Sequence, residues 1–166
     1  MNNLNENFKV GYLIVDEIGD NNELAGSLLL VDCNGYPKEI KCTETVKTST
    51  IQKIAYGIML RAGVMIDQIA LPLVKELEEV PDIILVNDKK LLNIQKKTNI
   101  KIAMLDGEEG SNGSLIFSNN DNENDEVAEV FNASFLLEDK AEPFERVYKA
   151  LDYSNSTQHQ NFSMAG

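Results

Sequence analysis

The sequence predicts an α/β protein: a mixed β-sheet that opens with an antiparallel three-strand meander and continues with crossover helices. Three observations carry this. The runs at residues 9–17 and 26–32 are apolar on both alternating faces, as in strands covered on two sides. Asn34-Gly35 separates the second run from a third, Pro37 to Thr43, and reads as a hairpin turn. Beyond Ser49 the apolar period switches from two to that of a helix, and a strand–helix–strand pattern follows across residues 82–105.

Taken in order, residues 1–8 are polar, rich in Asn and aperiodic, and are expected to be disordered. Val10-Gly11-Tyr12-Leu13-Ile14-Val15 forms the first strand, and Gly19-Asp20-Asn21-Asn22 the turn after it. Leu28 to Val31 is the second strand. In the return strand Ile40 and Cys42 share one face, with Glu39, Lys41 and Thr43 on the other, which places it nearer the sheet edge. A two-residue turn at Asn34-Gly35 sets Cys42 near Ser27 and Cys33 opposite Tyr36. Those cysteines lie too far apart along the ladder for a disulfide, so both are expected reduced.

Ser49 followed by Gln52 is a capping box. Ile51, Ile54, Ala55, Ile58, Met59 and Ala62 then share one helical face, the face expected to cover the sheet. Gly63 is expected to interrupt or end this helix. A second set, Ile66, Ile69, Ala70, Leu73, Val74 and Leu77, carries the period past Pro72, by a kink or by a new helix with proline in its first turn. Asp82 to Asp88 is a short buried strand. Lys89 to Lys97 is a short helix with Leu91, Leu92 and Gln95 inward, and Ile100 to Leu105 is the next strand. Residues 106–113 form a loop, Leu115 to Phe117 a short strand, and Ser118 to Asp125 an exposed acidic segment. Residues 126–137 fit a helix or an extended run. Pro143, Phe144, Val147, Tyr148 and Leu151 mark a last helix. The domain is thus residues 9–152, and 153–166 read as a disordered polar tail.

At 166 residues the chain suits one domain with a real core. It is 43% hydrophobic and 25% charged, with no apolar run near the roughly 18 residues of a membrane span and no signal-peptide pattern at the start. The expectation is a cytoplasmic protein without a membrane partner. Net charge is −12, and most of it sits late in the chain. Residues 1–105 carry 12 Lys/Arg against 14 Asp/Glu; residues 106–166 carry 3 against 13. Such a field disfavours a nucleic-acid partner.

This order of elements, over residues 9–151, resembles the RNase H-like arrangement shared by many nucleases. The resemblance implies a carboxylate cluster holding two divalent ions, Mg²⁺ or Mn²⁺, that activate water. Its candidates here are Asp16 on the first strand, Asp67 or Glu76 on the long helix, Asp88 after the central strand, and Glu142 or Glu145 near the last helix. Set against this, 27 acidic residues will place some at strand ends by chance, and Asp88 also suits a helix cap.

The other motifs are weaker still. Thr43 to Thr50 is rich in hydroxyls but lacks the glycines and the lysine of a phosphate loop. Cys42 has no histidine near it, since His159 lies in the tail. Lys89, Lys90, Lys96, Lys97 and Lys101 make a modest basic cluster. Asp121 to Glu126 lacks the glycine and the final glutamate of a calcium loop. No metal ligand set and no cofactor is indicated. The leading expectation is a small acidic protein that binds another protein through Asp106, Glu108, Glu109, Asp121, Glu123 and Asp125. The alternative is a metal-dependent nuclease, or an inactive relative, using Asp16, Asp67, Asp88 and Glu145.

Overall fold

A computed structural model describes residues 5–18, 23–105, 114–119, 121–156 and 163–165. The chain is of the α/β class, a mixed sheet with helices on both faces. Strands β1 (Val10–Ile18), β2 (Glu23–Val31) and β3 (Pro37–Cys42) form the antiparallel meander. β4 (Ile83–Val86) lies parallel to β1, and β5 (Lys101–Leu105) parallel to β4. β6 (Leu115–Phe117) and β7 (Ser163–Ala165) add antiparallel edges, so the order is β6-β5-β4-β1-β2-β3-β7.

The two apolar faces of β1 each have a core, which is why alternation is missing from its sequence. Leu13 and Val15 join Leu28, Ile84 and Val86 on one face. There they meet Val64, Ile69 and Leu73 from the long helix, and Leu91, Leu92 and Ile94 from a 3₁₀ segment at Lys89–Lys97. On the other face Val10, Tyr12 and Ile14 join Leu29, Ile83 and Leu85. These pack against Phe131 and Phe135 of or beside α4 (Glu123–Ser134), and Val147 and Leu151 of α5 (Glu142–Ser156). The Tyr12 hydroxyl, buried in this layer, donates to the Lys140 carbonyl at 2.6 Å, and burial pushes its pKa up.

Several expectations need correction. The hairpin loop is three residues, Cys33-Asn34-Gly35, not two. The Asp32 N–H donates to the Tyr36 carbonyl, and the Asp32 carboxylate accepts from the amides of Asn34 and Tyr36. Only Gly35, at φ 86°, need adopt a left-handed conformation. A bulge between Leu30 and Val31 absorbs the extra residue, so Ser27 still pairs with Cys42. In the 3₁₀ segment Ile94 is buried; the Gln95 amide instead donates to the carbonyls of Thr98 and Ile100, and its oxygen accepts from Ile102 N–H. The 126–137 stretch is helix to Ser134. Helix α4 already starts at Glu123, and Asn124 is buried rather than exposed, its amide donating to Asn119.

The described residues of both terminal segments make contacts with the domain. Phe8 is buried with its ring centroid 6.3 Å from that of Phe131, and the Asn5 amide donates to Ser134 Oγ at 2.7 Å. Helix α5 continues through Ser156, and residues 163–165 extend the sheet beside β3.

The largest departure concerns the helix after Ser49. The capping box is present: Ser49 Oγ accepts from Gln52 N–H while the Gln52 side chain accepts from Ser49 N–H. The helix does not stop at Gly63 or Pro72. It runs as α1 (Thr50–Tyr56), a 3₁₀ turn at Gly57–Met59, α2 (Leu60–Gly63), a π-helical stretch at Val64–Ala70, and α3 (Leu71–Glu76). The wider π turn lies just ahead of Pro72, which has no N–H to donate. The break falls at Gly57, at φ 56°. Taken together, Thr50–Glu76 is long and apolar enough to cross a membrane by length and composition, contrary to the expectation of no such span, because the count of uninterrupted apolar runs overlooked its few scattered polar residues; its second half is core of this domain.

Candidate functional site

None of α1's residues is buried. The face expected to cover the sheet does not cover it: on α1 Ile51 is 73% exposed, Ile54 74% and Tyr56 44%, and in the following 3₁₀ turn Ile58 is 102% and Met59 68% exposed; these five residues are the α1 stripe. Ala55 is exposed between them. Geometry explains why. A 27-residue helix has an axis of about 40 Å, whereas the nine residues of β1 span about 30 Å. The sheet covers the helix from Val64 onward, and the first turns project past its end. The break at Gly57 lies in open space, since a Cβ added there would meet nothing within 4 Å, and Ile58 beside it is fully exposed. At about 200 Å² per fully exposed large side chain, these five residues present at most on the order of 700 Å² of surface. A monomer's largest apolar patch is about 300–600 Å².

Few charges border this surface. Arg61 pairs with Glu17 of β1, and Lys47 with Glu23 at 3.3 Å. Lys53 has no carboxylate partner among the described residues. No acidic residue occurs between Thr45 and Ile66.

The candidate carboxylates are not brought together. Asp16 continues the β1 register of Tyr12 and Ile14, toward the α4/α5 face, and Glu145 lies on α5. Asp88 continues the register of Ile84 and Val86 toward the opposite face, where its carboxylate accepts from Lys90 N–H and starts the 3₁₀ segment. Asp67, on the π stretch of that same face, accepts from Lys97 Nζ at 2.6 Å. Glu142 is held by Arg146, and Glu76 ends α3. Among the described residues no three His, Cys, Asp or Glu side chains are grouped to hold a metal ion.

Of the acidic binding candidates, Asp106, Glu108 and Glu109 lie outside the described residues. Asp121 and Glu123 flank Lys101 at 3.7 and 3.2 Å, and the Asp121 carboxylate also accepts from Glu123 N–H at the start of α4. Part of this region's charge is thus used internally, and Lys101 leaves the basic cluster to do so. Asp125 is exposed in the first turn of α4. Cys33 and Cys42 are unpaired thiols. Cys42 Sγ lies 3.2 Å from Ser27 Oγ; burial pushes the thiol's pKa up, against hydrogen bonds from Ser27 and Ser154, the reverse of an activated nucleophile.

What sequence reasoning missed was the direction of the α1 stripe, not its existence. The signal available was the mismatch between a helical period 27 residues long and strands of nine residues or fewer.

No protein-family model matches this chain, and no curated protein sequence matches it. Among solved structures, the crystal structure of an endonuclease V from Bacillus subtilis shows a partial likeness: 11% identity over 51% of this chain and 37% of that enzyme, with a TM-score of 0.31. The match spans about a third of that enzyme's length, and a likeness of this size carries no argument about activity.

Proposed function

We propose that this chain is a non-catalytic protein-binding module of the cytoplasm, and that the apolar stripe of α1 is its contact surface. The observation that carries the reading is the exposure of Ile51 and Ile54 on α1, which buries no residue, and of Ile58 and Met59 in the 3₁₀ turn that follows it. Leaving such a surface in water costs roughly 25 cal/mol per Å² relative to covering it. The acidic stretch from Asp106 to Asp125 serves in this reading as a secondary, charge-based contact for a basic partner surface.

The test is affinity capture with the whole chain beside two variants. Ile54→Asp with Ile58→Asp should abolish retention of whatever the native chain holds. Neutralising Asp121, Glu123 and Asp125 should lower retention several-fold and make it less salt-sensitive. Retention unchanged by the α1 variant would overturn the reading.

The second reading, a metal-dependent nuclease or inactive relative of RNase H-like architecture, is favoured by the strand order, in which an antiparallel meander adjoins two parallel strands. The separation of Asp16 and Glu145 from Asp67 and Asp88 argues against it. Single- and double-stranded DNA and RNA incubated with Mg²⁺ or Mn²⁺ should show no cleavage above an EDTA control. Cleavage lost in Asp16→Asn or Asp88→Asn would establish the nuclease instead.

A further inference from the structure

We propose that the occupant of the α1 stripe is a second copy of this chain, the two α1 helices packing across a two-fold axis. The inference rests on the reading of α1 as a contact surface and adds the partner's identity. The first argument is area. At most about 700 Å² from each copy sets a ceiling near 1,400 Å², which reaches the range of about 1,200–2,000 Å² for stable interfaces. Such a contact is isologous, so the same patch must satisfy itself. The stripe is suited to that, being aliphatic apart from Tyr56, with the small exposed Ala55 between Ile51 and Ile58 in the sequence.

The second argument is charge. Two chains at −12 repel, and contact costs less where carboxylates are absent. The stretch from Thr45 to Ile66 carries Lys47, Lys53 and Arg61 and no acid. A contact here adds no carboxylate pair to that repulsion, and two of the three cations it brings together, Lys47 and Arg61, are already paired with Glu23 and Glu17. The same facts disfavour a lipid surface as occupant. Interfacial helices carry a polar face rich in Lys and Arg, whereas here Arg61 and Lys47 are paired to Glu17 and Glu23, leaving Lys53.

Met59 and Met65 provide a reporter. Met59 is exposed on the stripe and Met65 is buried in the core. The full chain is oxidised briefly with hydrogen peroxide at about 1 μM and at about 100 μM, spanning a plausible dissociation constant, and sulfoxide is read peptide by peptide. We expect Met59 to react fast in dilute protein and about tenfold more slowly in concentrated protein, with Met65 slow in both. Light scattering should move from monomer to dimer over the same range, and Ile54→Asp with Ile58→Asp should stay monomeric with native circular dichroism. Met59 reacting fast at both concentrations, with a monomeric mass, overturns the dimer while leaving α1 an open surface for a different protein. Protection of Met59 in the dilute monomer overturns both, since the stripe would then be covered by its own chain. Concentration-independent monomers that co-sediment with neutral phosphatidylcholine vesicles through α1 overturn the dimer in favour of lipid.

Discussion

Gly26 shows how single atoms hold this fold. A Cβ there would collide with Ile69 Cγ2 and reach Leu73 Cδ1 at 3.2 Å, because the π stretch and α3 lie directly on β2. Both neighbours are buried and cannot swing aside. Gly26→Ala should therefore lower unfolding free energy by about 1–3 kcal/mol, read as a shifted urea midpoint. Arg146 is a second such point. Its guanidinium donates to the Glu142 carboxylate and, through NH1, to the Gly35 carbonyl at 2.7 Å, tying α5 to the β2–β3 loop. The hydrogen bond from Arg146 holds the Glu142 carboxyl below the usual glutamate range. A depressed carboxyl stabilises the fold above its unfolded pKa, and that stability disappears as pH falls through the folded one. Glu142→Gln should accordingly lower Tm at neutral pH, with the deficit vanishing as pH falls below about 4.3; a deficit that persists at acid pH would show that the ion pair is not its source. Because both groups are about a third exposed, the effect will be modest.

The long helix behaves as two elements with opposite environments. Ile69 is fully buried in its second half, and Ile54 is exposed in its first. Ile69→Ala should cost about 2–5 kcal/mol, and Ile54→Asp no more than about 0.5 kcal/mol in the monomer, both read by urea denaturation in dilute protein. A large loss from Ile54→Asp would mean that α1 packs on its own sheet. Gly57 links the halves. Its φ of 56° favours glycine, so Gly57→Ala should straighten or fray the helix start, visible as altered hydrogen exchange across residues 50–60. The meander was legible because its strands state their burial directly. The three-residue loop was not, because Asn34-Gly35 suits two turn geometries and the Asp32 carboxylate chooses between them.

For the molecule as a whole, charge and apolar surface make opposed demands. An apolar contact between two chains at −12 should tighten as salt screens their repulsion, whereas a contact made by the acidic stretch should weaken. Sedimentation across an ionic-strength series separates them, and self-association weakened by salt would count against α1 as its seat. The strand runs, the hairpin, the capping box at Ser49 and the last helix at Pro143 are readable from residue order alone, since each depends on neighbours a few residues away. The sequence also contained the α1 stripe. Tertiary structure alone decided that Asp16 and Asp88 continue toward opposite faces, that Phe8 enters the core and that the stripe faces outward. The reason is that periodicity records which residues share a face. What meets that face depends on how far a helix outruns the sheet beneath it, a length comparison between elements distant in the chain.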